Sequence, residues 1–252
     1  MNAGAQIAIR PLGDSALIVQ LNSESLDDID EVLRVARLLE RAAIVGVTEI
    51  TTAFTTVAVF YDPTRVVVGG NEGLFDCLEA QVRSALAQLS TGEPVRSASD
   101  QEVIEIPVCY DHGYALDLTD VAAHASLAPA EVIALHCSAE YRVATVGFTP
   151  GFPYLSGLPS QLATPRRASP RAAVPAGSVA IGGRQAGIYA VSSPGGWHVI
   201  GRTSMQLFDV TRNPAALLRA GDRVRFRCIT AAEFHAAAAD SLPERAQATA
   251  NK

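Results

Sequence analysis

The segment 147–159, GFTPGFPYLSGLP, limits the fold more than any other stretch of this 252-residue chain. Phe148, Phe152 and Tyr154 stand there among glycines and prolines. Three rings left in water would forfeit several kcal/mol of burial, so the segment is not a surface linker. Pro150 and Pro153 lack the donor that a central strand gives to its ladder, so it is not a core strand either. What remains is a loop of fixed shape with an apolar lining, and such loops carry function on a rigid scaffold.

The surroundings agree. Over 141–229 the chain is rich in Gly, Pro and short β-like runs: YRVATVGF, SVAIGG, GIYAVSS, WHVIGRT, MQLFDV and DRVRFRCI. Many short strands with turn signals predict a barrel or sandwich. A strand, VIEIPVCYD, precedes it, followed by helices over 118–125 and 129–137, the second with Pro129 in its first turn and Glu131 close behind. Thr230 and Glu233 form a capping box ahead of an Ala-rich helix, and 236–252 reads as a tail.

The first ninety residues have another texture. QIAIR and SALIVQL flank a PLGD turn cluster, which predicts a hairpin. A helix follows, capped by Ser25 with Asp28, acidic at its start and basic towards its end, with an apolar face of Leu26, Ile29, Leu33, Ala36 and Leu39 or Glu40. GVTEITTA and TTVAVFYD predict a second strand pair, and 74–89 a second helix through Leu78, Val82, Ala85 and Leu86. The order ββαββα suits an antiparallel sheet with both helices on one face. The polar stretch STGEPVRSASDQE, 90–102, is the expected linker. The expected organisation is thus an α+β domain over 1–92, a mainly-β domain over 93–235, and the tail.

Composition narrows the function classes. A net charge of −6 argues against broad nucleic-acid binding and favours small molecules or proteins as partners. Cys77, Cys109, Cys137 and Cys228 are widely spaced with no C-x-x-C pair, as in a reducing cytoplasm. The start of the chain lacks the pattern of an export signal, and no run of about 18 apolar residues suggests a membrane span.

Most short motifs fail on chemistry. Gly177 and Gly182 have the glycine spacing of a phosphate-binding loop, but Gly183 and Arg184 stand where Lys and Ser or Thr are required. The five histidines show no metal-ligand spacing, and Ser192 and Ser193 lack a nucleophile-elbow frame. SSPGGWHVIGRT, 192–203, delivers the sole tryptophan, Trp197, from a tight Pro194-Gly195-Gly196 turn. It is either a core anchor beneath a hairpin or the wall of a pocket. Strand alternation would put Val199 and Gly201 on its face, with His198, Ile200 and Arg202 opposite. In the proline-braced loop 164–177, Arg166 and Arg171 suit anion binding, whereas Arg167 reads as a solvated charge. Alone, His136 reads as a helix C-terminal residue.

Taken together and in order, RPLGDSALIVQL, GFTPGFPYLSGLP, PRRASPRAAVPAGSVAIGGRQAGIY, SSPGGWHVIGRT and LLRAGDRVRF resemble the 5-oxoprolinase B-subunit family, also called allophanate hydrolase subunit 1. The resemblance implies that the second domain is a cyclophilin-like barrel. It implies a hydrolase subunit that opens 5-oxoproline to glutamate at the expense of ATP, together with a larger C-type subunit and an A-type protein, and that is inactive without them. ATP would sit at a site shared with a partner, and no metal site is implied in this chain. Inhibition of a histidine kinase, or a carboxyltransferase role in urea or allophanate breakdown beside a biotin-bearing partner, are the alternative family roles. The family pattern implies a cleft with His136, Arg166, Arg171, Gln185 and Arg202 as catalytic candidates. Phe148, Pro150, Gly151, Phe152, Tyr154, Tyr189, Pro194, Gly195, Gly196 and Trp197 are the substrate-binding ones. Ala186 and Ser204 depart from the pattern, where Thr and Pro are commoner.

Overall fold

The N-terminal strands form one antiparallel sheet in the order β1-β2-β4-β3, built from β1 (Ala8–Pro11), β2 (Ala16–Gln20), β3 (Val47–Ala53) and β4 (Thr56–Tyr61). The computed structural model describes residues 7–21, 29–69, 73–87 and 102–240, and the chain falls into two compact units, Met1–Gln101 and Glu102–Lys252. Alternate residues Leu17, Val19, Val57 and Val59 share a core with α1 (Ile29–Ala42) and α2 (Leu74–Ala87). The element order is the expected ββαββα. In α2 the buried residues are the expected Leu78, Val82, Ala85 and Leu86.

The face of α1 is rotated from the expectation. Val32 and Val35 are buried with Ile29, Ala36 and Leu39, and Leu33 only packs at the margin. Positions 29, 32, 36 and 39 and positions 29, 33, 36 and 40 are both helical stripes, and the sheet selects the first. The expected Ser25–Asp28 cap and Leu26 lie outside the described residues, as does the linker up to residue 101.

The second unit is a closed barrel in the order β10-β7-β6-β13-β5-β12-β9, with β9 pairing back onto β10. Its strands are β5 (Val103–Cys109), β6 (Tyr141–Val146), β7 (Pro153–Ser156), β9 (Ser178–Gly182), β10 (Gln185–Ile188), β12 (His198–Arg202) and β13 (Arg223–Ile229). Closure leaves no sheet edge unpaired. All the pairings are antiparallel except β5 with β13. Residues 153–156, expected to be loop, instead form β7 between β6 and β10, and Pro153 is tolerated because it opens the strand. Gly183 and Arg184, which stand where a phosphate-binding loop requires Lys and Ser or Thr, form the turn that links β9 to β10, with Gln185 opposite Gly182. The barrel core contains Ile106, Val143, Leu155, Ile181, Ile188, Ile200 and Phe226, with α3 (Leu118–Ala125) and α4 (Pro129–Ser138) contributing to it. A separate two-stranded sheet joins β8 (Arg171–Val174) to β11 (Ser193–Gly195). The last helix, α5 (Ala231–Asp240), carries the expected box, Thr230 N–H donating to Glu233 Oε2 at 2.8 Å and Glu233 N–H to Thr230 Oγ1 at 3.2 Å. It therefore runs into the stretch expected to be tail.

MQLFDV does not form a strand. The Arg212 guanidinium donates to the carbonyls of Leu207 at 3.2 Å and Ala215 at 3.0 Å, and the Leu207 carbonyl also accepts from Leu217 N–H at 2.7 Å. Acceptors that a neighbouring strand would need are thereby used within a coiled loop, of which only the Phe208–Ala216 bridge pairs as sheet.

Candidate functional site

Along the barrel strands, residues facing in and residues facing out alternate, and the outward set on one side is unusual. Leu155, Val179, Ile181, Ala186, Ile188 and Ile200 belong to the interior, whereas their neighbours Tyr154, Ala180 and Val199 join Phe152, Val174, Tyr189 and Trp197 in a second cluster on the outer wall. Gly182 and Gly187 belong to this outer patch. A Cβ on Gly182 would collide with the Trp197 ring, and one on Gly187 would lie 2.8 Å from Phe152 Cζ and 3.0 Å from Trp197 Cζ3. The wall is stripped of side chains where the rings lie against it.

Phe152 is the hub of the cluster. Its centroid lies 4.9 Å from Tyr154, 5.2 Å from Tyr189 and 5.6 Å from Trp197, the last two near-perpendicular at 85° and 86°. Edge-to-face packing of this kind is favourable beyond the area it buries. On β11, Gly195 is required for close approach, since a Cβ there would strike the Tyr189 hydroxyl. Burial pushes the Tyr189 phenol up in pKa, against the opposing effects of the Trp197 backbone hydrogen bond and the Arg166 charge.

Between the rings lies a cavity of about 330 Å³, lined by Phe148, Phe152, Tyr154, Arg166, Arg167, Pro170, Tyr189, Pro194, Gly195, Gly196 and Trp197. Phe148 stands at this lining with φ at 65° and 64% of its surface exposed. A bulky residue held in that region costs roughly 1–3 kcal/mol, strain that collects at ligand sites. The turn that imposes it is fixed by Phe152 N–H donating to Thr149 O at 3.1 Å and Gly147 N–H to Phe152 O at 3.0 Å.

Arg166 is pinned from both sides through its backbone. The Thr164–Gly183 bridge holds the chain before it, and Arg167 N–H donates to Gly196 O at 2.8 Å after it. Its guanidinium lies over Trp197, 5.8 Å from the ring centroid. Among the described residues it makes no ion pair. Arg167 and Arg171 differ: both grip the carboxylate of Asp117, which is 1% exposed. Burial pushes the Asp117 carboxyl up, but the Arg171 hydrogen bond, the Val199 N–H and the two arginine charges outweigh it and hold its pKa below the ordinary value.

The structure gathers the expected Phe148, Phe152, Tyr154, Arg166, Tyr189, Pro194, Gly195, Gly196 and Trp197 at one cavity. Trp197 is both a buried anchor and a pocket wall, and Val199 shares its face as alternation required. Gly201 does not, because β12 shifts register between Val199 and Gly201, and a Cβ on it would meet Val108 in the barrel interior. Pro150 and Gly151 shape the turn but do not line the cavity, Gly151 packing against Phe208. Gln185 opens β10 outside the lining. Arg202 donates from Nε to Ala176 O at 2.8 Å, away from it.

His136 also lies apart. It is fully buried, stacked 4.3 Å from Phe226, with Nδ1 2.7 Å from the Tyr110 hydroxyl. Burial pushes its pKa down to about 3, so it is neutral at physiological pH. Arg167, expected to be merely solvated, is instead bonded to Asp117. Asp117 itself escaped sequence reasoning, because Asp ahead of a helix reads as a cap, and here its side chain makes no cap bond. Only partners fifty and more residues away reveal its role. Among the described residues no group of three or more His, Cys, Asp or Glu is placed to hold a metal, and no single helix is long and apolar enough to cross a membrane.

An α+β unit and a closed barrel whose outer wall bears a ring-lined, cation-edged cavity define a two-unit protein with a candidate small-ligand site. The chain belongs to the family described as carboxyltransferase domain, subdomain C and D, whose model matches residues 7–218. Its relatives make the likeness more particular. It is similar to the 5-oxoprolinase B subunit of Bacillus subtilis (strain 168), 39% identical over 232 residues that span 90% of this chain and 95% of that one. It is also similar to the 5-oxoprolinase B subunit of Escherichia coli O157:H7, 56% identical over 127 residues, 50% of this chain and 58% of the relative. The Kluyveromyces lactis urea carboxylase structure aligns with 91% of this chain and 22% of its own at a TM-score of 0.70, and at 20% identity it shares the fold alone.

Proposed function

We propose that this chain is the B-type subunit of an ATP-dependent 5-oxoprolinase, a hydrolase that opens the lactam of 5-oxoproline to glutamate together with subunits of the A and C type. The observation that supports it most is the 39% identity to a 5-oxoprolinase B subunit over nearly the whole of both chains. The cavity suits the substrate. Its rings offer apolar faces to a five-membered lactam, and Arg166 offers a guanidinium to the carboxylate. A ring-lined site also limits the bulk water that reaches the reacting amide.

The cavity offers little to a nucleoside triphosphate. At about 330 Å³ the cavity lies at the small end of the roughly 300–1,000 Å³ typical of ligand pockets, and one of its two arginines is committed to Asp117. The nucleotide would therefore be held largely by a partner protein, and the isolated chain would be inactive. The cyclophilin-like type of barrel and a cytoplasmic setting belong to the same reading. The latter draws on four free thiols.

The test is 5-oxoproline-dependent ATP hydrolysis by the purified chain with and without its partner subunits. Turnover by the assembled complex alone is expected. No turnover by the complex overturns the function, and full turnover by the isolated chain overturns the shared site.

A further inference from the structure

The cations around the cavity are not equivalent. Four donors converge on Asp117: Arg167 Nη1 to Oδ1 at 2.6 Å, Arg171 Nη2 to Oδ1 at 2.7 Å, Arg171 Nη1 to Oδ2 at 2.8 Å, and Val199 N–H to Oδ2 at 2.7 Å. The Asp117 amide returns a bond to Val199 O at 2.7 Å, so helix α3 and strand β12 lock the carboxylate in place. A ligand anion reaching for Arg167 would have to compete with this buried, pre-positioned carboxylate. Arg167 also meets Asp120 at 4.0 Å, which offsets more of its charge. Arg166 has no such competitor among the described residues, and it lines the cavity with its guanidinium carbon 5.8 Å from the Trp197 ring centroid, so its donors remain for a ligand carboxylate.

We infer that the cavity is a monoanion site, selecting ligands that carry one carboxylate on a small apolar frame, and that buried Asp117 sets this limit by holding Arg167 and Arg171 in an internal ion pair. The inference rests on the reading that this cavity is the ligand site of the proposed 5-oxoprolinase. It makes Asp117 a specificity-determining residue that never touches the ligand. Removing its charge would release Arg167, which lines the cavity, together with Arg171, which does not, and shift preference towards polyanions.

Calorimetric titration of the full chain with 5-oxoproline, pyrrolidin-2-one and inorganic pyrophosphate tests it. 5-Oxoproline should bind at least about tenfold more tightly than either the neutral lactam or pyrophosphate. Arg166→Gln should abolish the preference for the carboxylate, bringing 5-oxoproline affinity to within about threefold of that for pyrrolidin-2-one in the same variant. Asp117→Asn should raise pyrophosphate affinity by about tenfold or more. Pyrophosphate binding as tight as 5-oxoproline, no carboxylate-dependent binding at millimolar concentration, or an Arg166→Gln chain that binds 5-oxoproline normally each overturns the inference. An Asp117→Asn chain that folds but binds pyrophosphate no more tightly overturns the role of Asp117; if it fails to fold, the wild-type series and Arg166→Gln decide the charge limit and Asp117→Ser decides its cause. The outcome is separable from the function. A complex that turns over 5-oxoproline beside a chain without carboxylate preference refutes only the charge limit. A monocarboxylate-selective chain in a complex inert towards 5-oxoproline refutes only the substrate.

Discussion

Acidification should destabilise the barrel through His136. With its pKa pushed down to about 3 by complete burial, against 6.5 for a free imidazole, the folded chain refuses a proton that the unfolded chain accepts between those values. Stability therefore rises with pH across this window and falls as the pH is lowered, by about 1.4 kcal/mol per unit once below the unfolded value. Between pH 7 and pH 5 the loss from this residue integrates to about 2 kcal/mol. Because pH 5 is well above the folded value, that figure depends almost entirely on the unfolded imidazole. The assay is urea denaturation at pH 7, 6 and 5, following the single tryptophan, for the wild type and for His136→Asn. The variant starts less stable, having lost the stack on Phe226. Over the same interval the wild type should lose about 2 kcal/mol more than the variant. His198, also lowered chiefly by burial, is present in both proteins and cancels from the difference. Equal losses in the two proteins would refute the argument, since they would require His136 to titrate normally in the fold.

Three further outcomes follow from the packing. Gly187→Ala places a methyl 2.8 Å from Phe152 Cζ and should destabilise the chain by about 1–3 kcal/mol in chemical denaturation, with weaker 5-oxoproline binding. Trp197→Ala removes a 5%-exposed indole and should cost about 3–5 kcal/mol, read as a lowered Tm. Thr230→Ala breaks a reciprocal cap and should speed amide exchange in the first turn of α5 while leaving barrel amides unchanged.

The N-terminal unit was largely legible because its hairpins and helices are local: β1 with β2, β3 with β4, and α2 follow from period and turn chemistry alone. The face of α1 was not, since Leu33 and Val32 are separated by one position and only the sheet chooses between them. In the barrel, Phe152 and Tyr154 were legible as rings of a shaped segment because glycine and proline bracket them, whereas Trp197 stayed open between core anchor and pocket wall until the three were seen to line one cavity. Asp117 was invisible, its arginine partners standing 50 and 54 residues along the chain. His136 was misplaced for a related reason. Likeness to a family pattern says that a residue recurs, not whether it faces a cavity or, as here, the Phe226 ring inside the barrel.

The alternation that builds the cavity also predicts how substitutions in its wall divide. Ile181 and Gly182 are neighbours on β9, and Gly187 and Ile188 on β10, yet one of each pair serves the barrel interior and the other the floor beneath Trp197. Truncating Ile181 or Ile188 to Ala leaves a void in the shared core, and about 2–5 kcal/mol of stability should be lost with ligand affinity in the surviving folded fraction little changed. Adding a methyl at Gly182 or Gly187 instead displaces the ring that walls the cavity, so affinity should fall further than stability. Measuring both quantities at the four positions separates the two faces. A single proportional loss at all of them would mean that the outer cluster is merely an extension of the core and not a built ligand site.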